Sequence, residues 1–320
     1  MNQKFISIIA CISAFLITAP GLSEAYIYHP ARQGDVSFFI GEKTWLSIGD
    51  NKWNIGGTKS GGPPNILSEL EYIGLESTVY EIFGGIQEGN GVLSIGYGFG
   101  SLHDGIYRDS DYLRDNRQGL FSLSTGKAEG DLYFWNIDYS FRLLPNGAEE
   151  ILDERYLNIL IGFQEWHEKV TMTDGVQEFG GTLGPFSGLN STYEFMWKIY
   201  RIGFEGGLPI YKGFGLKGSA IFIPYNDYEG KGIWNLRTDF RQDPSFEHTA
   251  SGGRGAQIEA SLSFMPYPEL SIGLGYRYWF IKSGKGDDIT YFSNGAASIT
   301  QFNEAVSERQ GAFLDLTSTF

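Results

Sequence analysis

The stretch Arg309-Gln-Gly-Ala-Phe-Leu-Asp-Leu-Thr-Ser-Thr-Phe320 alternates by side chain, not by helical turn. Ala312, Leu314, Leu316 and Phe320 fall on one face and Gly311, Asp315, Thr317 and Thr319 on the other, because successive strand residues point in opposite directions. One apolar face and one small or charged face suit a wall with lipid outside and water inside. The pattern predicts the closing strand of an outer-membrane β-barrel. Its terminal aromatic is expected to be the mark that barrel-assembly machinery reads.

The other end of the sequence agrees. Met1 to Lys4 makes a short basic start, Phe5 to Ile17 an apolar run and Ser23-Glu-Ala25 a small-x-small exit, which predict a secretory signal peptide over 1–25. The apolar run is too short to be a membrane-spanning helix. Cys11, the only cysteine, lies inside that segment. Ile8-Ile-Ala-Cys11 also resembles a lipoprotein cleavage box, but that cut would leave almost no apolar run before it. Residues 26–320 are therefore expected to form one barrel domain without a thiol for metal binding, disulfides or nucleophilic catalysis.

Composition narrows the class. Aromatic residues make up 16% of the chain, glycines number 44, and mean hydropathy is −0.19. Helical membrane proteins have higher hydropathy because each span is a long apolar run, whereas barrel strands give half their residues to a polar interior. The formal charge of −14 argues against a nucleic-acid partner.

Two-residue periodicity bounded by turn signals predicts ten strands, at 36–49, 66–84, 92–102, 131–144, 155–172, 191–209, 213–226, 256–265, 269–281 and 307–320. The clearest is the ninth, with Leu270, Ile272, Leu274, Tyr276, Tyr278 and Phe280 on one face and Ser271, Gly273, Gly275 and Arg277 on the other. Connections alternate in length. Short ones are expected at 85–91, 145–154, 209–213 and 265–268, and long polar ones at 50–65, 103–130, 173–190, 227–255 and 282–306. Barrels of this class keep periplasmic turns short and external loops long. The expected fold is thus all-β: a closed, antiparallel, ten-stranded transmembrane barrel with long extracellular loops, in the outer membrane of a Gram-negative bacterium. About ten tilted residues cross the hydrocarbon, so longer strands overshoot it and carry a rim. Ten strands enclose little more space than eight, which argues against a wide general porin.

Three short motifs resemble the omptins, the outer-membrane proteases. Ser68-Glu-Leu-Glu-Tyr72 resembles their Ser-x-Leu-Asp-Trp, Ile161-Gly-Phe-Gln-Glu165 their Ala-Gly-Tyr-Gln-Glu, and Arg108-Asp-Ser-Asp-Tyr112 the Val-Asp-x-Asp-Trp that carries a catalytic aspartate pair. The order and spacing agree across nearly all of residues 26–320. The resemblance implies a ten-stranded barrel with function at the outer rim. Omptins complete the site with an Asp-x-His in the fourth outer loop, where histidine activates a water. The corresponding stretch, Ile233-Trp-Asn-Leu236, holds neither residue. The omptin Trp-Thr-Asp-x-Ser-x-His-Pro is also missing between Asp111 and Gly130. Related barrels without these residues include the family named for the Protochlamydia outer membrane proteins, associated with porin-like roles.

The candidate catalytic residues are Asp109, Asp111 and His248. Two apart in an extended segment, Asp109 and Asp111 share a side, where repulsion lets them share a proton and serve acid–base work on a water. The bland alternative is a solvated acidic loop neutralised by Arg108 and Arg114. His248 is the imidazole available in the fourth loop, with Asp243 or Asp239 to orient it; the alternative is an ordinary exposed histidine. His167 belongs to the rim or to an aromatic girdle. Glu69, Glu71, Glu165 and Arg277 fall near expected lumen faces. Lys198, Arg201, Lys212 and Lys217 are candidates for contact with lipopolysaccharide phosphates, with Lys212 expected in a periplasmic turn. No metal box, phosphate loop or Ser-His-Asp motif is present, so no cofactor or metal is expected. Two functions remain open. One is an omptin-like barrel without classical proteolysis, acting as a surface, adhesion or narrow porin-like protein with a peptide or host-surface ligand. The other is an endopeptidase cleaving near basic residues with a displaced histidine.

Overall fold

The computed structural model describes residues 36–143 and 155–320. The signal peptide expected over 1–25 and the turn expected over 145–154 lie outside the described residues. In chain order the strands are β1 (Val36–Ile55), β2 (Ser68–Glu88), β3 (Gly91–Arg114), β4 (Gln118–Arg142), β5 (Tyr156–Phe179), β6 (Gly184–Pro185), β7 (Ser191–Tyr211), β8 (Phe214–Ile233), β9 (Phe246–Ser251), β10 (Arg254–Tyr267), β11 (Leu270–Lys282), β12 (Gly286–Tyr291) and β13 (Ala297–Thr319).

These strands make ten staves of one antiparallel ring. β1 to β5 pair in sequence, β7 and β8 follow, and β13 closes on β1 with registers from Phe39↔Thr319 to Gly49↔Arg309. Phe38 and Phe320 exchange two backbone hydrogen bonds, of 2.8 and 2.9 Å, at the closing seam. Between β8 and β13 the ring closes at two heights, through β10 and β11 below and through β9 and β12 above. β9 and β10 form one stave kinked at Gly252, whose φ of 79° suits a residue without Cβ. The small β6 only borders β5.

The expected strands are present, and the upper connections are more ordered than expected. The segment 103–130 is not a loop, because β3 runs to Arg114 and β4 begins at Gln118, leaving a turn in which Asn116 and Arg117 take φ near 58°. Above the lipid a strand needs no apolar face, so the period that marks the lower staves disappears. β9 and β12 hide in polar sequence for the same reason.

In the lower staves the large apolar side chains point outward. Ile95 is 60% and Leu274 63% exposed, areas that fit contact with hydrocarbon and not with water. The ninth expected strand, now β11, alternates as read, with Ser271, Gly273 and Trp279 inward. Inside, Phe134 stacks on Trp166 at 4.8 Å and Trp166 on Trp279 at 4.9 Å, a layer that also meets Trp45. Trp53, Tyr193, Phe195, Trp197, Phe246 and Phe302 continue it upward as one buried cluster. The lumen is packed, as expected for a narrow barrel.

A row of bulges separates the two halves. β1 shifts register between Gly49 and Asn51, Gly74 on β2 takes φ 67° with its N–H donating to Asp50 Oδ1 at 2.7 Å, and β3 shifts between Leu102 and Gly105 with Asp104 at φ 58°. An extra residue reverses which side chains face in. Below Gly74 the inward-facing buried residues are Leu75, Ser77, Val79 and Glu81; above it they are Tyr72 and Leu70, while Glu69 is buried on the other face beneath Arg117. Glu69 and Glu71 therefore face out, contrary to the expected lumen face, and Arg117 folds over Glu69 with contacts of 2.8 and 2.5 Å. Glu165 also faces out, because on β5 the buried residues are Gln164, Trp166 and Glu168. Arg277 faces the lumen as expected.

One polar node sits within the packed lumen. Glu168 accepts from Asn51 Nδ2 and Trp166 Nε1, both at 2.8 Å, and lies 3.7 Å from Arg309. Arg309 Nη1 donates to Ser77 Oγ at 3.0 Å and to the Leu75 carbonyl at 3.2 Å. Removing one charge of a buried pair leaves the other uncompensated, at about 3–5 kcal/mol. Glu168→Gln should therefore lower the temperature at which the folded, fast-migrating form is lost on heat-modifiability gels. The double variant Glu168→Gln/Arg309→Met should recover part of the loss.

Candidate functional site

The bulge at Asp104 decides the geometry of the outer site. On the lower half of β3 even-numbered residues such as Gly98 and Leu102 are buried; beyond the bulge it is Gly105 and Tyr107, so Asp109 and Asp111 turn inward. They sit opposite Leu70 and Ser68 of β2. Both are half-buried at the rim, above the lipid-facing staves.

Burial, and then the adjacent Asp111 carboxylate, push the Asp109 carboxyl up to about 8, against the pull of Arg237. Burial also raises Asp111, while the Ser68 hydroxyl and Arg237 favour its charged form. At neutral pH the Asp109 carboxyl therefore keeps its proton. Arg237 lies within electrostatic reach of both carboxylates. Its Nε and Nη2 donate to Asp239 Oδ1 and Oδ2 at 2.9 and 2.8 Å, and its guanidinium stacks 3.9 Å from the Phe240 ring.

The stretch Ile233 to Leu236, which corresponds to the omptin Asp-x-His, would on that resemblance present Trp234 and Asn235 to the pair. Both are committed to packing instead. Asn235 Oδ1 accepts from the Asn190 N–H at 2.9 Å and from Ser191 Oγ at 3.0 Å, tying the third outer loop to the fourth. Trp234 meets Phe246 edge-on at 4.6 Å. The basic group within electrostatic reach of the aspartates is thus Arg237, which sequence reasoning missed because its role depends on a loop fold without a local pattern.

His248 lies inside the upper barrel and is 1% exposed, so the ordinary exposed reading does not hold. Its Nδ1 is 2.8 Å from the Tyr193 hydroxyl, which in turn is 2.8 Å from the Tyr228 hydroxyl. Its Nε2 is 3.1 Å from Asp288 Oδ1, and Thr300 donates to Asp288 Oδ2 at 2.8 Å. Rings of Trp53, Phe246 and Phe302 surround it at 4.5 to 4.9 Å. Its carboxylate partner is therefore Asp288, across the β9–β12 pairing, and not Asp239 or Asp243. The structure brings Asp109 and Asp111 together and gives both His248 nitrogens partners other than that pair.

The remaining candidates are also located. His167 stacks on Tyr133 at 4.3 Å and contacts Glu165 at 2.7 Å on the outer wall, among girdle aromatics. Lys198 faces out and pairs with Glu229 at 2.8 Å. Arg201 and Lys217 line the lumen and so cannot meet lipid phosphates; Lys212 sits in the β7–β8 turn. Among the described residues one set of potential metal ligands converges, Glu76, His103 and Asp104 within 4.8 Å on the outer wall, with His103 already 2.8 Å from Asp104.

The model of the family described as Protochlamydia outer membrane protein matches residues 49–320. Among solved structures, the outer membrane protease OmpT from Escherichia coli superposes with a TM-score of 0.72 at 13% identity, covering 94% of this chain and 100% of that one. The translocator domain of the autotransporter NalP from Neisseria meningitidis gives a TM-score of 0.40 at 9% identity, covering 98% of each. The first likeness is one of fold, and the second is too weak to argue from. No curated protein sequence matches the chain.

A carboxyl raised from 3.8 to about 8 makes the folded state hold an extra proton, so its stabilising contribution is complete below about pH 4 and is lost as pH rises through about 8. Thermal unfolding in detergent should accordingly shift to lower temperature between these pH values. Asp109→Asn should flatten that slope, and an unchanged slope would contradict the proton held on Asp109.

Proposed function

Because this chain belongs to the Protochlamydia outer membrane protein family and spans a Gram-negative outer membrane as a ten-stave barrel, we propose that it is a surface-binding protein of the adhesion type that does not hydrolyse peptides. The observation that carries this reading is that the basic group within electrostatic reach of Asp109 and Asp111 is Arg237 and not a histidine. Peptide hydrolysis in the histidine-dependent omptin manner needs an imidazole that takes the water's proton, and the cation within reach of the aspartates here is a guanidinium, which stays protonated at any physiological pH. Asn235 has no basic lone pair to offer. His248 is sealed among aromatic rings with both nitrogens engaged.

A conducting role is disfavoured by the packed layer of Trp45, Phe134, Trp166 and Trp279 across the lumen. Binding at the surface is favoured by the tall outer hairpins. Leu113, Phe121, Phe179 and Leu183 stand 49–66% exposed near their tips, beyond the lipid-facing staves, where apolar area serves a partner. The partner of this reading is a peptide or host-surface ligand. Lipopolysaccharide meets the outer wall near Lys198 and the girdle aromatics.

The refolded protein should show no cleavage of a fluorogenic dibasic peptide above background, with or without lipopolysaccharide, and Asp109→Ala should change nothing. Loss of general-base catalysis alone costs ~10²–10⁴-fold in rate. Robust cleavage abolished by both Asp109→Ala and His248→Ala would establish the protease instead. In the same preparation, a steady single-channel conductance in planar bilayers would restore the pore.

A further inference from the structure

The outward face of β1 carries a carboxyl where the rest of the wall is apolar. From the closing seam at Phe38 up to the bulge at Asp50, its outward residues are Ile40, Glu42, Thr44, Leu46 and Ile48, alternating with Gly41, Lys43, Trp45 and Ser47 on the lumen side. Glu42 is exposed between Ile82 of β2 and Leu316 of β13, and it makes no hydrogen bond or ion pair among the described residues. The next outward charges above it, Asp50, Glu76, His103 and Glu308, all stand at the row of bulges. From the seam up to that row, no other outward residue of β13, β1, β2 or β3 is charged. A strand rises about 3.3 Å per residue and leans about 45° in a barrel wall, so Glu42 stands about 9 Å above the seam and about 19 Å below Asp50. That depth lies inside the apolar band, about 25 Å tall, that such barrels present to lipid.

Hydrocarbon offers a carboxyl no hydrogen-bond partner, and an ionisable side chain at this depth marks a functional contact. The barrel itself supplies none. Lys43, next in sequence, points into the lumen and is held by Glu259 at 2.8 Å. The partner has to come from outside and carry a polar group at the same depth. A second copy in the same membrane does so by symmetry, because a two-fold axis along the membrane normal sets each residue near it against its own copy at equal height. A carboxylic acid is also self-complementary. It holds one O–H donor and one free acceptor oxygen, so two of them close on each other through a pair of O–H···O hydrogen bonds. Thr44, one outward position higher, would meet its own copy in the same way. Thr78, Gly84 and Ala312 stand outward around them and are small, which lets two walls approach closely.

We propose that the β13–β1–β2 wall docks a second copy of this chain within the membrane, in a two-fold contact centred on Glu42 paired with its own copy. The contact lies on the lipid-facing wall and uses nothing of the outer rim, so its failure would leave the surface reading untouched.

Disulfide trapping tests the contact directly. In the full-length chain carrying Cys11→Ser, a single added thiol is the only one present. Thr44→Cys would place it beside the axis, and Ala220→Cys would place it outward on β8, on the other side of the ring. Each protein is reconstituted in phospholipid vesicles, oxidised with copper phenanthroline and read on non-reducing gels, with heat-modifiability establishing that each variant folds. Thr44→Cys should give a covalent dimer that persists when the lipid-to-protein ratio is raised about tenfold, whereas Ala220→Cys should give one only at high density. Adding Glu42→Leu to Thr44→Cys should lower the dimer yield by about tenfold, and adding Glu42→Gln, which keeps a donor and an acceptor, should retain most of it. Equal trapping at both walls, no dimer from Thr44→Cys, or a yield indifferent to Glu42→Leu would overturn the contact. So would a Thr44→Cys adduct in outer-membrane fractions whose mass is not that of two copies, which would assign the wall to another protein.

Discussion

Every backbone N–H and C=O inside hydrocarbon must find its partner within the protein, and the pairing of β1 with β13 is where this chain meets that demand. An open edge there would leave two rows of polar groups in lipid. Closure also fixes the rest. With ten staves the interior is too narrow to stay empty, so inward side chains must interdigitate, and the aromatic layers follow. The kinked stave at Gly252 serves the same demand, keeping the ring closed at two heights with one set of strands.

The bulges at Asp50, Gly74 and Asp104 let one continuous sheet obey two rules. Below them the outward face must be apolar and the inward face holds the paired charges of the lumen. Above them the outward face is wet and the inward face is the hydrophobic core of the rim. Reversing the alternation at one level puts Leu70, Tyr72 and Tyr107 into that core, and it points Asp109 and Asp111 inward with them. The geometry of the outer site is thus a by-product of how the sheet leaves the membrane.

Much of this was legible in sequence for a physical reason. Lipid forces every second residue of Leu270 to Phe280 to be apolar, and the same constraint marks the other lower staves. The upper halves of β3 and β4, and β9 and β12, carry no such mark and read as loops. A single extra residue, such as Gly74, leaves no compositional trace, so Glu69 and Glu71 were assigned to the wrong face. Of the outer site, the aspartate pair was visible because both members sit on one strand two residues apart. Arg237 and Asp288 were not, since each meets its partners through tertiary folding of polar segments.

The stacked rings across the lumen also bear on the membrane that holds them. If the lumen does not conduct, as proposed, the barrel adds surface without adding leak, so copy number and permeability are uncoupled. A cell can crowd its exterior with such staves and keep its barrier to solutes intact. The two ends then face separate solutions and are free to diverge under separate selection, joined only by the wall between them.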